Sequence, residues 1–389
     1  MTAAATRPTT VVVDLDAIRA NVETLRRTIG PARLCVVVKA DGYGHGAVEV
    51  AHAARSAGAA AFAVAVVEEG VVLRRSGIDA PILVLAEVPT AGLQAALADD
   101  LSLTVGTRDA IAAASTEACR LGVTAGLHLK VDTGMHRIGA APNDVVALAR
   151  TIVDDPSLRL DAVWTHLAVA DEPRRPDTSE QEERFSVVEA RLAAAGIDVP
   201  MVHLANSAGS IAHPTVRRDL ARCGIAVYGL APSPELDGLV ELVPAMSVTS
   251  EVAAVRRVEA GEGISYGHRF VTTRPTTIAT VPIGYADGVP RRLGLVGGEV
   301  LIGGRRRPIA GTITMDQLMV DCGDDDVAIG DEVVLIGHQG SERIDAWDWA
   351  KLVDTIGYEI VCGFGPRLPR RYRSTAADDQ GSRSTNVSS

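Results

Sequence analysis

The sequence has 389 residues, 47% of them hydrophobic, and a formal charge of −11 from 38 basic and 49 acidic side chains. That is enough apolar material for two domains, and basic residues scattered among acidic ones make no field for a phosphate backbone or an anionic bilayer, so neither nucleic acid nor membrane is an expected partner. Five single cysteines without a Cys-x-x-Cys pair support no disulfide framework and no thiolate metal site, and no run approaches the ~20 apolar residues of a bilayer span, so the chain reads as cytoplasmic and metal-free.

In chain order, Asp16 is a candidate N-cap for a helix to about residue 28, because Ile18, Val22, Leu25 and Ile29 follow on one helical face. Leu34 to Val38 is an unbroken apolar run, as a strand covered on both faces should be, and it ends on Lys39. Buried-type runs recur near 61–66, 82–85, 101–105, 126–131, 160–166, 200–204 and 220–227, separated by stretches such as 47–57, 68–76 and 181–195 that suit helices. Eight strands alternating with helices over roughly 200 residues predict an α/β fold, a (β/α)8 TIM barrel, with an open doubly wound sheet as the alternative. After Ala231-Pro232-Ser233-Pro234 short β-rich segments separated by Gly and Pro take over, with one helical stretch near 346–356. The expected organisation is a barrel over 1–237, with its first ~10 residues candidates for joining the second domain, a C-terminal mainly-β domain over 238–373, and a disordered tail over 374–389.

Only three of the 38 basic residues are lysines (Lys39, Lys130 and Lys351), so chemistry that needs a primary amine has three candidates. In a barrel of this kind functional groups sit at the carboxyl ends of the strands. Lys39 and Lys130 each close such a run, and partial burial lowers an amine's pKa toward the range where it is nucleophilic, as a Schiff-base lysine requires. A surface lysine snorkelling from a strand end is the plainer alternative for Lys39. Lys351 falls in a helical pattern and is expected at the surface. The glycines of Asp41-Gly42-Tyr43-Gly44-His45-Gly46 could also form a dinucleotide turn, with Glu68 or Glu69 on the ribose. The spacing is G-x-G-x-G instead of G-x-G-x-x-G, however, and Tyr43 and His45 would crowd a pyrophosphate.

Val38-Lys39-Ala40-Asp41-Gly42-Tyr43-Gly44-His45-Gly46 closely resembles the pyridoxal-phosphate attachment motif of alanine racemases. In the same order follow Lys130 to Gly139, Thr165-His166, His203 to Ser207, Arg222 to Ile225 with Tyr228-Gly229, Gly263 to Gly267, Gly284 to Gly288 and Met315-Asp316-Gln317, all similar to that family's blocks over residues 10 to 373. The resemblance implies a pyridoxal 5'-phosphate enzyme that interconverts L- and D-alanine and supplies D-alanine for peptidoglycan, acting as a homodimer with composite active sites. Lys39 would carry the cofactor and serve as base on one face of Cα, and Tyr266 of the partner subunit on the other, with His166, itself in contact with Arg222, tuning that phenol. Arg222 would face the pyridine nitrogen and, as a cation that gives up no proton, leave it unprotonated, suppressing transamination.

By the same resemblance Ser207, the N–H groups of Gly224 and Ile225, Tyr43 and Tyr358 would hold the phosphate. Arg137 and the N–H of Met315 of the partner subunit would bind the substrate carboxylate, with Lys130, Asp316 and Tyr285 in support. In many members the lysine equivalent to Lys130 is carbamylated. Two positions depart from the family: Thr312 stands where an arginine, and Thr314 where a cysteine, is common. Both are expected near the substrate entrance, where threonine would widen the corridor and make it less cationic. A racemase with another preference, such as serine, is therefore the alternative. A non-catalytic pyridoxal-phosphate carrier lacks the β domain, and a barrel decarboxylase is disfavoured by Arg222.

Overall fold

The computed structural model describes residues 7–375. A first strand, β1 (Thr10–Asp14), precedes eight parallel strands: β2 (Arg33–Val37), β3 (Ala61–Val64), β4 (Ile82–Glu87), β5 (Ser102–Val105), β6 (Ala125–Lys130), β7 (Leu158–Trp164), β8 (Val202–His203) and β9 (Leu220–Cys223). Their order is β8-β7-β6-β5-β4-β3-β2-β9. Backbone N–H groups of Asp219 and Arg222 donate to the carbonyls of Val202 and Ala205 at 3.1 and 3.0 Å, which links the two ends of the sheet into a nearly closed barrel. Helices occupy the connections, so the strands are covered on both faces and read as continuous apolar runs. Every residue of β6 is buried, including His128 and Lys130, whose polar groups must find partners inside the barrel.

The first helix, Leu15–Ile29, buries Ile18, Val22, Leu25 and Ile29 as its periodicity requires. Its cap differs from expectation. The Asp14 carboxylate accepts the N–H of Asp16 at 2.9 Å, while Asp16 lies within the first turn and receives Ser374 Oγ and Thr375 N at 3.0 and 2.7 Å. Residues 374 and 375 are thus tied down, and the rest of the expected disordered tail lies outside the described residues.

The chain divides into two compact units, one formed by Ala17–Gly42 and Gly46–Val243, the other by the described residues of Met1–Asp16, Tyr43–His45 and Pro244–Ser389. The second unit is mainly β: β10 (Met246–Glu251), β11 (Ala254–Val258), β12 (Gly263–Ile264), β13 (Phe270–Val271), β14 (Thr276–Val281), β15 (Glu299–Ile302), β16 (Arg305–Pro308), β17 (Leu318–Gly323), β18 (Glu332–Gln339), β19 (Glu342–Ile344) and β20 (Arg370–Arg373). One sheet runs β16-β15-β18-β10-β1-β20 with β19 beside β18; β11-β14-β17 form a second, and β12-β13 a short hairpin. β1 pairs antiparallel with β10 and parallel with β20, so it is an interior strand of this sheet. Among the described residues no helix is long and apolar enough to cross a membrane.

Candidate active site

Lys39 lies two residues beyond the carboxyl end of β2. The backbone that follows it turns through the left-handed region at Ala40 (φ 53°), Asp41 (φ 50°) and Gly42 (φ 61°). Two successive non-glycine residues there cost on the order of 1–3 kcal/mol each, so the surroundings must hold the turn. Glu69 does so: its carboxylate accepts the N–H groups of Ala40, Ala65 and Val66 at 2.6, 2.8 and 3.3 Å. The Asp41 side chain accepts the N–H of Ala47 at 2.9 Å, and Tyr228 donates its hydroxyl to the Val37 carbonyl at 2.9 Å. Glu69, a candidate ribose ligand under a dinucleotide reading, is instead occupied as the brace of the lysine turn.

The next strand round, β9, pairs with β2 in a register that sets Arg222 opposite Cys35. Arg222 is 2% exposed and donates to His203 Nδ1 at 2.7 Å, to the carbonyls of Thr165 and Leu204 at 2.9 and 3.1 Å, and to His166 Nδ1 at 3.3 Å. His203 Nε2 lies 3.0 Å from His128 Nδ1, and its ring stacks on Trp164 at 5.3 Å. The guanidinium carbon of Arg222 sits 4.5 Å from the centre of the same indole and Lys130 Nζ 5.1 Å, so one aromatic ring serves two cations. Burial lowers Arg222 to about 10, which leaves it cationic at neutral pH. Burial likewise holds His203 well below its usual value and His128 down to about 4, so both imidazoles are neutral.

His166 is held well below the ordinary histidine range by burial and then by four cations, Arg222, Arg137, Lys130 and Lys39. Lys130 is 2% exposed, donates to the Ile138 carbonyl at 2.9 Å, and is lowered to about 8 by burial and by Arg137 and Arg222. The loop bearing Arg137 wraps round Asp132, whose carboxylate accepts the N–H groups of Gly134, Met135 and His136, each at 3.0 Å. Ser207 opens a short helix after β8, and its Oγ accepts the N–H of Gly224 at 2.9 Å, which joins the ends of β8 and β9. Ile225 follows, buried, at the start of a 3-10 turn. Lys39, Lys130, Arg137, His166, Ser207, Arg222, Gly224 and Ile225 therefore all lie at or just beyond strand ends of one barrel.

In the β unit Tyr43 and Tyr358 pair, ring centroids 6.2 Å apart. Gly44 must lack a side chain, since a Cβ there would stand 2.5 Å from the Val361 carbonyl oxygen. Tyr266 caps the β12-β13 hairpin with 73% of its surface exposed, and Met315 and Tyr285 are also exposed. The backbones of the latter two are joined: Tyr285 and Ala286 donate to the carbonyls of Thr314 and Met315 at 3.1 and 3.0 Å, a closeness that only Gly284 permits. Thr314 closes the 314–317 turn by donating to the Gln317 carbonyl at 2.8 Å, and Asp316 receives Arg367 at 2.7 Å. Thr312 is only 2% exposed in this unit, and its hydroxyl donates to the Tyr266 carbonyl.

The descriptions of two family models fit this chain, "Alanine racemase, N-terminal domain" over residues 13–232 and "Alanine racemase, C-terminal domain" over residues 245–372. The chain belongs to the alanine racemase family. It is 50% identical over 372 residues to the alanine racemase of Symbiobacterium thermophilum, covering 95% of this chain and 98% of that one. Among solved structures, the alanine racemase of D-cycloserine-producing Streptomyces lavendulae superposes with a TM-score of 0.90 at 40% identity, covering 95% and 97% of the two chains. The alanine racemase of Bacillus anthracis with bound L-Ala-P superposes with a TM-score of 0.90 at 39% identity, covering 96% and 97%. The family is one of isomerases, and the barrel followed by a β unit is its fold.

Against this alanine racemase framework, the roles that sequence reasoning missed are those of residues that hold others in place. Glu69 was considered only for a ribose, and His128 makes no motif of its own. Asp132, His203 and Asp287 lie in the family-like blocks but carry no task there. Asp287, fully buried, receives both Nη atoms of Arg7 at 3.0 and 2.8 Å and the Gly284 N–H at 3.1 Å, and so seats the Tyr285 turn. For Asp132 and Asp287 the available signal was an acidic side chain inside a glycine-bearing block; Glu69 and His128 carried none.

Proposed function

We propose that the protein interconverts L- and D-alanine with pyridoxal 5'-phosphate, by a two-base mechanism in a homodimer, and provides D-alanine for peptidoglycan in the cytoplasm. The observation that carries this reading is the placement of Lys39, Lys130, Arg137, His166 and Arg222 at or just beyond strand ends of one barrel, with Arg222 3.3 Å from His166 Nδ1, in a chain of the alanine racemase family. Every hydrogen-bond partner named for Arg222 is a carbonyl or a neutral imidazole. Cations gathered at a barrel mouth suit a phosphorylated cofactor and an amino-acid carboxylate.

Lys39 would hold the cofactor and, its amine released, take or return the proton on one face of Cα. Tyr266 of the partner subunit would do so on the other face; its exposure in a single chain suits a group completed by a second copy. Bound pyridoxal phosphate supplies an electron sink for the carbanion formed at Cα. Arg222 would lie against the pyridine nitrogen, and a guanidinium whose acceptors are carbonyls and imidazoles has no proton to spare, which favours reprotonation at Cα over side reactions.

Ser207 and the N–H groups of Gly224 and Ile225, with Tyr43 and Tyr358, would bind the phosphate. Arg137 and the N–H of Met315 of the partner subunit would orient the substrate carboxylate, supported by Asp316 and Tyr285. Lys130 would steady Arg137: at a pKa of about 8 roughly one amine in ten is neutral at pH 7, and the neutral amine is the form that adds carbon dioxide to give a carbamate. The test is reconstitution of the purified protein with pyridoxal phosphate, followed by chiral analysis over a panel of L-amino acids. L-alanine should racemise faster than serine or any other member, and a Lys39→Ala variant should lose covalent cofactor attachment. Faster turnover of another amino acid would reassign the substrate.

A further inference from the structure

The geometry points to Thr312 as a positioning residue that fixes the backbone under Tyr266, an assignment that rests on Tyr266 being one of the two proton carriers. The two residues are 46 apart in sequence, yet Thr312 Oγ1 donates to the Tyr266 carbonyl at 2.9 Å. In return Ser265 Oγ donates to the Thr312 carbonyl at 2.6 Å. The pair is reciprocal: each strand of backbone offers a hydroxyl to the other's carbonyl, one residue out of step.

The Tyr266 turn needs such a restraint because its own backbone is unfavourable. Ser265 sits at φ 62°, ψ −172°, a region suited to glycine, Gly267 at φ 73° and His268 at φ 44°. A turn with that many left-handed residues relaxes unless its neighbours over-determine it. Glycines let the neighbours approach. Gly311, at φ 83°, has no room for a Cβ, which would stand 2.6 Å from the Ile264 carbonyl oxygen. Gly263 likewise lies flush against the His268 ring, where a Cβ would come within 2.3 Å. The segment before Thr312 is therefore pressed onto the start of the turn, and Thr312 locks the register between them.

The phenol itself projects outward, 73% exposed, while Thr312 beneath it is 2% exposed. The restraint thus acts on the Tyr266 carbonyl, hence on the direction of its Cα–Cβ bond, and leaves the ring to meet a substrate. A small β-branched donor suits this buried place.

Three variants separate the possibilities: Tyr266→Phe, Thr312→Val, which keeps the shape and removes the donor, and Thr312→Ser, which keeps the donor. The readouts are single-turnover wash-in of solvent deuterium at Cα from each enantiomer and hydrogen exchange of the 264–270 amides in the full-length protein. Tyr266→Phe should slow exchange from one enantiomer selectively. Thr312→Val should slow the same enantiomer by about tenfold, the worth of one hydrogen bond, and speed amide exchange across the turn, while Thr312→Ser should restore most of both. If Tyr266→Phe is selective but Thr312→Val affects both enantiomers alike or neither, the positioning role is overturned and the proton carrier stands. If Tyr266→Phe is itself unselective, the reading of Tyr266 fails and the role of Thr312 fails with it.

Discussion

Arg222 Nη1 donates to Nδ1 of His203 across 2.7 Å, and this one contact sets the protonation of the barrel interior. A guanidinium only donates, so His203 Nδ1 must be bare and its proton must sit on Nε2. Nε2 lies 3.0 Å from His128 Nδ1, which must then accept, placing the His128 proton on its own Nε2. A fixed cation thus dictates two tautomers in sequence, and neither imidazole has reason to charge at neutral pH.

The tautomers are directly measurable. Long-range proton–nitrogen correlation spectra of the histidine-labelled protein should show His203 and His128 both neutral, with Nδ1 unprotonated, throughout pH 6 to 8. Replacing His203 by Ala should cost about 2–3 kcal/mol in chemical denaturation, because a buried guanidinium loses a strong acceptor. It should also raise the share of turnovers that end in transamination.

Lys130 gives a pH dependence. Its folded pKa, about 8, lies below the ordinary 10.5, so the folded state resists protonation and the penalty is fully present below pH 8. It disappears as pH rises from about 8 toward 10.5, an effect on the order of 3 kcal/mol. In bicarbonate-free buffer the wild-type protein should therefore gain stability relative to Lys130→Met over that interval. With labelled bicarbonate a carbamate carbon signal should appear in the wild type and be missing from the variant.

Glu69 braces three N–H groups around the lysine turn. Glu69→Ala should cost about 2–3 kcal/mol of stability by denaturant titration and weaken cofactor retention on dialysis, whereas Glu69→Gln, which keeps the acceptor oxygen, should recover part of both.

Much of this was legible in the sequence for a physical reason. Strands buried on both faces leave apolar runs, and the eight runs from residue 34 to 227 correspond to β2 through β9. Lysine scarcity drew attention to Lys39 and Lys130, and glycine-rich blocks marked turns where backbones meet. The supporting contacts were not legible. Glu69 reaches Ala40 across 29 residues and Thr312 reaches Tyr266 across 46, and neither spacing has a period. Thr312 was read as a gap where arginine is common, although its worth lies in a hydroxyl whose acceptor only the fold supplies. The sequence marks its first ~10 residues as candidates for the second domain, but not the pairing of β1 with β10 and β20, since a short apolar strand does not record its partners.

The central claim is that Lys39 of one chain works with Tyr266 of another on a single carbon. Mixing Lys39→Ala and Tyr266→Phe proteins under conditions that exchange subunits tests it most directly, because a hybrid dimer would carry one site with both lesions and one site with neither. Each variant alone should be nearly inactive, and the mixture should recover about a quarter of wild-type racemisation. A mixture no more active than its two components would contradict the shared site.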